Sequence, residues 1–208
     1  MWNFPTPLPD ELIYSTIARA GLHHGIQSPK QLLDEVFQDR KVVATVDLPS
    51  HLNAIVHLLQ RTRRFSLIDL IYKHTMFGLY APFVQESRRQ KAISLMAEQA
   101  SGSVHLMLGL NASRVPNNAK LHYCPICLQQ QREMYGEYFW NRAWFVSNLS
   151  ICLKHDCSLL SQDYIQQQHR HLFLALLPNQ TQDMPAPYFK EDFVLGQIAV
   201  ELLQLDPQ

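Results

Sequence analysis

Tyr123–Gln131 reads YCPICLQQQ, and Ser150–Cys157 reads SICLKHDC. Together these stretches hold all four cysteines of the 208-residue chain, and the second adds a histidine. Cys124-Pro-Ile-Cys127 and Cys152-Leu-Lys-His155 are half-sites with two residues between donors. That spacing lets both side chains of a tight turn aim at one point, and two such turns close a tetrahedron about Zn2+. The 24 residues between the half-sites include Tyr135, Tyr138, Phe139, Trp140, Trp144 and Phe145, enough aromatic mass for a small core around the metal. The expectation is one structural Zn2+ on Cys124, Cys127, Cys152 and His155. Cys157, two residues past His155, is the alternative fourth ligand, and otherwise a half-buried free thiol. A reducing compartment has little use for disulfides, which favours metal over pairing.

Catalytic readings of the same residues fare worse. Zinc deaminases need an H-x-E element upstream of P-C-x-x-C, and none of the ten histidines is followed by x-E. Four protein ligands leave no open position for water. A redox C-P-x-C belongs near the start of a βαβ fold, whereas this one follows a long helical stretch. There is no G-x-S-x-G, P-loop or H-E-x-x-H, so no catalytic residues are assigned and the chain is read as a non-enzyme.

Outward from the cysteines, most of the chain reads as helix. Asp10–Ala20 carries acidic residues at its start and Gly21 after its end, with Leu12, Ile13, Thr16, Ile17 and Ala20 on one face. Asp10/Glu11 and Asp34/Glu35 read as helix-dipole and solvent-facing charges. Ser28-Pro29 opens a second helix, with Gln31 at the capping-box position. The two outline a helix-turn-helix. Further helices are expected from Pro49, from Ser66 with Asp69 closing a capping box, over ESRRQKAISLMAEQA (86–100), over SVHLMLGLNAS (103–113), and near Phe193–Leu205. Asn111–Lys120 reads as a connector, and residues 178–189 as a Pro-rich stretch. The expected fold is mainly α: a helix-turn-helix-like helical domain over 1–118, a zinc-finger module over 119–165, and an extension with a short helix over 166–208.

Apolar residues make up 47% of the chain and charged ones 17%, a globular balance. The N-terminus lacks a basic n-region and an apolar run, and no segment approaches the length of a membrane span, which points to a cytoplasmic protein with no membrane partner. Net charge is zero but uneven. Residues 1–155 hold 16 Lys/Arg against 11 Asp/Glu, and residues 156–208 hold 2 against 7. A polyanion would meet the first three quarters of the chain.

The segments NFPTPLPDELIYSTIARAG (3–21), SPKQLLDEVFQDRKVVATVDLPSHL (28–52), YCPICLQQQREMYGEYFWNRAWF (123–145) and CLKHDCSLL (152–160) resemble the TniQ family, in its TnsD-like branch of transposon target-site selectors. The resemblance spans essentially the whole chain. It implies an adaptor that associates with target DNA and recruits the transposon's AAA+ ATPase, or in some relatives rides on a CRISPR effector complex. It implies a bacterial cytoplasmic protein, at the nucleoid when bound to its target. Relatives of this branch are usually longer, so the chain reads as an N-terminal portion or as a short adaptor. The competing reading is a zinc-stabilised DNA-binding transcriptional regulator with no transposition partner. Candidate phosphate contacts are Arg40 and Lys41, the cluster Arg61, Arg63 and Arg64, the cluster Arg88, Arg89 and Lys91, and Arg132 and Arg142 within the zinc loop. Trp2 and Phe4, on a Pro-flanked N-terminal arm, are candidate anchors for the ATPase, and otherwise fold back on the chain's own core.

Overall fold

A computed structural model describes residues 3–98, 103–110, 120–147, 149–163, 170–177 and 190–205. Trp2, most of the expected connector and the Pro-rich stretch lie outside these residues. The fold is mainly α. Helices α1 (Ile13–His23), α2 (Pro29–Phe37), α3 (Leu52–Leu59), α4 (Leu67–His74), α5 (Phe77–Tyr80), α6 (Glu86–Ala97) and α7 (Ser103–Met107) precede the cysteines. Strand β1 (Lys120–Tyr123) and helix α8 (Pro125–Tyr135) lead into a two-residue-per-arm hairpin, β2 (Ile151–Cys152) and β3 (Cys157–Ser158). Strand β4 (Leu160–Asp163) and helix α9 (Lys190–Leu203) follow. β1 pairs antiparallel with β4, Tyr123 opposite Leu160, and β2 pairs antiparallel with β3, Cys152 opposite Cys157.

Local capping signals place the starts of α2 and α4. Ser28 Oγ accepts the Gln31 N–H at 3.4 Å ahead of Pro29. Ser66 and Asp69 form the reciprocal capping box, Asp69 N–H to Ser66 Oγ at 3.1 Å and Ser66 N–H to Asp69 Oδ2 at 3.0 Å. The turn between α1 and α2 carries Gly25 at φ +63°, where a side chain would be strained. α3 starts three residues later than Pro49 predicts. His51 adopts φ +64° and its N–H donates to the Glu98 carbonyl at 2.7 Å, so the turn is pinned to the end of α6.

α1 also begins later than expected, and for a tertiary reason. Leu12 N–H donates to the Trp140 carbonyl at 3.0 Å and Arg142 N–H to the Asp10 carbonyl at 2.9 Å, with Glu11 bridged to Asn141. Asp10 turns the chain at φ +56°, and the strand-like pairing that follows keeps Glu11 and Leu12 out of the helix. From Ile13 to Gly21 every residue of α1 is buried. A helix buried all round needs partners for its polar side chains. Ser15 Oγ takes the Trp140 N–H at 3.0 Å, and Arg19 is held by carboxylates described below.

One hydrophobic cluster contains side chains from all three expected segments: Leu12, Tyr14, Leu70 and Phe77, then Leu121, Trp140 and Phe145, then Phe173, Ala199 and Leu203. Trp140 is fully buried and its indole N–H donates to the Leu174 carbonyl at 2.8 Å. Tyr14 O–H donates to the Leu172 carbonyl at 3.2 Å and accepts the Leu174 N–H at 2.8 Å. α9 closes over the hairpin side. A Cβ at Gly196 would stand 2.7 Å from Leu149 Cδ1 and 2.9 Å from Leu153 Cδ2, so a larger residue there would have to displace the ends of both leucine side chains. Among the described residues, no helix is long and apolar enough to cross a membrane.

Candidate metal centre

Cys124 leaves β1 as the N-cap of α8, and Pro125 occupies the first helical position. Its Sγ accepts the Cys127 N–H at 3.4 Å, as a capping hydroxyl would. Cys127, in the first turn, faces the same point. The sequence reading gives this region no helix, because the α8 face is apolar at few positions; Leu128 and Gln131 are its buried residues. The legible signals are terminal ones: Pro125 at the start, and Gly136 at φ +73° donating its N–H to the Arg132 carbonyl at 3.0 Å. Gln131 then clamps the aromatic loop, accepting the Phe139 N–H at 3.0 Å and donating to the Phe139 carbonyl at 3.1 Å.

The second half-site is the β2–β3 hairpin. Cys152 ends β2, and His155 N–H closes the turn on the Cys152 carbonyl at 3.2 Å. The four donor atoms of Cys124, Cys127, Cys152 and His155 all lie within 4.8 Å of one another. His155 Nδ1 stands 3.5 Å from Cys124 Sγ, 3.3 Å from Cys127 Sγ and 3.6 Å from Cys152 Sγ, and Cys127 Sγ is 3.6 Å from Cys152 Sγ. With Zn–S near 2.3 Å and Zn–N near 2.0 Å, a regular tetrahedron has edges of about 3.8 Å between sulfurs and about 3.5 Å from sulfur to nitrogen. These four separations fit the edges of a Zn2+ polyhedron. Hydrogen bonds with Cys127 and Cys152 hold the Cys124 thiol down at about 2, and hydrogen bonds with Cys124 and Cys152 push Cys127 up. Three thiols this close cannot all ionise without a cation to neutralise them. Cys157 is buried beside the set, its Sγ 3.6 Å from Cys124 Sγ. Burial, then the hydrogen bond with Cys124, pushes its thiol up to about 12.

The other predicted residues separate by environment. Lys41, Arg63, Arg64 and Arg132 are exposed, Arg132 donating to the Tyr138 hydroxyl at 3.2 Å. Arg40 is exposed but engaged with Asp34, Nε to Oδ2 at 2.7 Å. Arg61 lies in a 3-10 turn after α3, and its side chain is outside the described set. Arg88 and Lys91 are exposed on α6, while Arg89 pairs with Glu86. Two expectations require correction. Arg142 is 4% exposed and serves the interior: Nε and Nη2 bind Asp10 Oδ1 at 2.9 and 2.8 Å, and Nη1 donates to the Tyr72 carbonyl at 2.6 Å. It has no face toward a phosphate. Phe4 is 9% exposed within the hydrophobic cluster and is not a free anchor.

The largest unpredicted feature is a charged clamp. Glu11, read from sequence as a solvent-facing charge, is fully buried. Its Oε2 takes Arg19 Nη1 at 2.7 Å and the Leu8 N–H at 2.9 Å. Burial raises the Glu11 carboxyl and Arg19 pulls it back. Arg19 also donates to Glu137, just past α8, at 2.9 and 3.2 Å, and Glu137 meets His23 Nε2 at 2.6 Å. No local spacing announces this clamp, which joins residues more than a hundred positions apart.

These features define a class: a mainly helical protein with a Cys3His cluster of metal-binding dimensions set against its core. The chain belongs to the TniQ family, whose profile matches residues 3–159. It is similar to the transposon Tn7 transposition protein TnsD of Escherichia coli, 55% identical over 176 residues, which are 85% of this chain and 34% of that protein. The chain thus spans about a third of that relative's length.

Proposed function

We propose that this chain is a target-selecting component of a Tn7-like transposition system, which associates with target DNA and recruits the system's AAA+ ATPase. The observation that carries this is the 55% identity over 85% of the chain to a Tn7 transposition protein. Neither comparison favours a transcriptional regulator. In this reading one Zn2+ sits on Cys124, Cys127, Cys152 and His155, where it joins the start of α8 to the β2–β3 hairpin and holds the aromatic loop against α1. The bound ion supplies cross-linking rather than Lewis-acid chemistry, because four protein donors leave it no open position. The chain itself breaks no bonds. Its DNA contacts are to phosphates and come from exposed cations such as Lys41, Arg63, Arg64 and Arg132, with Arg40 available when it releases Asp34.

The test uses purified components: the zinc-loaded chain on a resin, the ATPase encoded beside it, and a duplex carrying the transposon's target. Retention of the ATPase by the immobilised chain is expected. Retention of DNA with no ATPase, at concentrations where both proteins are folded, refutes the adaptor reading and returns the regulator.

A further inference from the structure

A fifth side chain, Cys157, lies beside the four candidate donors of the metal centre. Cys157 Sγ is 3.6 Å from Cys124 Sγ, which is close to the 3.5 Å that His155 Nδ1 keeps from the same sulfur. The hairpin register supplies a second, independent observation. Cys152 and Cys157 are directly opposite across β2 and β3. Residues so paired project from the same face of the ladder with Cβ atoms about 4.5–5.5 Å apart. Cys157 therefore borders Cys124 and Cys152, two of the three cysteines of the candidate ligand set. His155 is half-exposed at the turn, whereas Cys157 is 8% exposed. Asp156, between them, sits at φ +48° in the turn of the hairpin.

Resting on the metal reading above, we propose that Cys157 is a reserve ligand, and that the centre has two ligand sets sharing Cys124, Cys127 and Cys152. His155 completes the set for Zn2+. Cys157 completes an all-thiolate set when His155 is removed or when the cation is softer, such as Cd2+. The exchange trades one protein donor for another, with the Cys157 proton passing to solvent as the thiolate binds, so no oxidant or external ligand is required. Thiolate is the softer donor and gains most with a thiophilic ion, while Zn2+ accepts sulfur and imidazole alike. The required movement is a side-chain rotation on β3 together with withdrawal of a half-exposed imidazole.

The probe is Cd2+, with X-ray absorption counting sulfur neighbours and elemental analysis counting ions. The wild-type chain loaded with Zn2+ is expected to show three sulfurs and one nitrogen, and loaded with Cd2+ four sulfurs. His155→Ala is expected to keep one Cd2+ per chain with four sulfurs, and His155→Ala with Cys157→Ser to lose it on dialysis that the single variant survives. Three sulfurs around Cd2+ in the wild-type chain overturn the proposal, as does equal retention by the single and double variants. The wild-type spectrum decides the matter alone if His155→Ala does not fold. A wild-type chain that takes up neither ion refutes the metal reading itself and the reserve ligand with it.

Discussion

Replacing Arg142 by alanine tests whether this cation is structural or DNA-facing. Its guanidinium does two things in the fold. It pairs with Asp10, whose side chain is 41% exposed, and it donates at 2.6 Å to the carbonyl of Tyr72. Tyr72 lies in the last turn of α4, where the final four carbonyls have no partner within the helix. Arg142 thus caps α4 with a charge of the sign its C-terminal dipole favours. The Asp10 contribution is screened by solvent and adds little. The capping bond is charged and buried, worth about 1.5–3 kcal/mol, and truncation also removes a well-packed side chain. Together the loss is about 3 kcal/mol. For a chain of this length that lowers the melting temperature by about 6–12 °C. The assay is calorimetric or spectroscopic melting of Arg142→Ala, with DNA binding measured well below its transition. Affinity for DNA is expected to stay within about threefold of wild type, under about 0.7 kcal/mol. A melting temperature within about 2 °C of wild type, accompanied by a tenfold loss of DNA affinity, would refute the capping argument and restore Arg142 as a phosphate contact.

Three further outcomes are expected. Purified protein carries about one equivalent of zinc; Cys124→Ser loses it, chelation lowers the melting temperature, and Cys157→Ser keeps it, as elemental analysis will show. His74 is buried, with Nδ1 on the Glu11 carbonyl at 2.8 Å, and burial pushes it down to about 4. The unfolded chain therefore binds the extra proton first, and stability from this group falls as pH drops through the range between about 6.5 and 4. The loss is about 2 kcal/mol between pH 6.5 and 5, to be read as the difference in urea midpoints between wild type and His74→Leu, which should lack that slope. For DNA binding, Lys41→Ala with Arg63→Ala and Arg64→Ala should reduce the slope of log K against log salt by up to about 3 units, near 0.9 for each phosphate no longer neutralised. An unchanged slope in that triple variant would show that these exposed cations do not touch the duplex.

Features set by neighbours in the sequence are legible without a structure. The capping box at Ser66 and Asp69, the Ser28-Pro29 start and the two-residue spacings of the metal half-sites each depend on a few adjacent positions. Local sterics and hydrogen-bond reach suffice to define them. α8 escapes such a reading although its ends are marked, because its exposed surface leaves almost no apolar period. The roles of Glu11, Arg19, Arg142 and Phe4 are decided only by tertiary contacts. A carboxylate or guanidinium reads alike in sequence whether solvent or a partner a hundred residues away satisfies it. Burial separates the two cases, since it makes an unpaired charge prohibitive and so enforces the pairing seen at Glu11–Arg19–Glu137 and Asp10–Arg142. Cys157 belongs to the same group: the chain places it two residues past His155, but only the strand register turns its thiol toward Cys124.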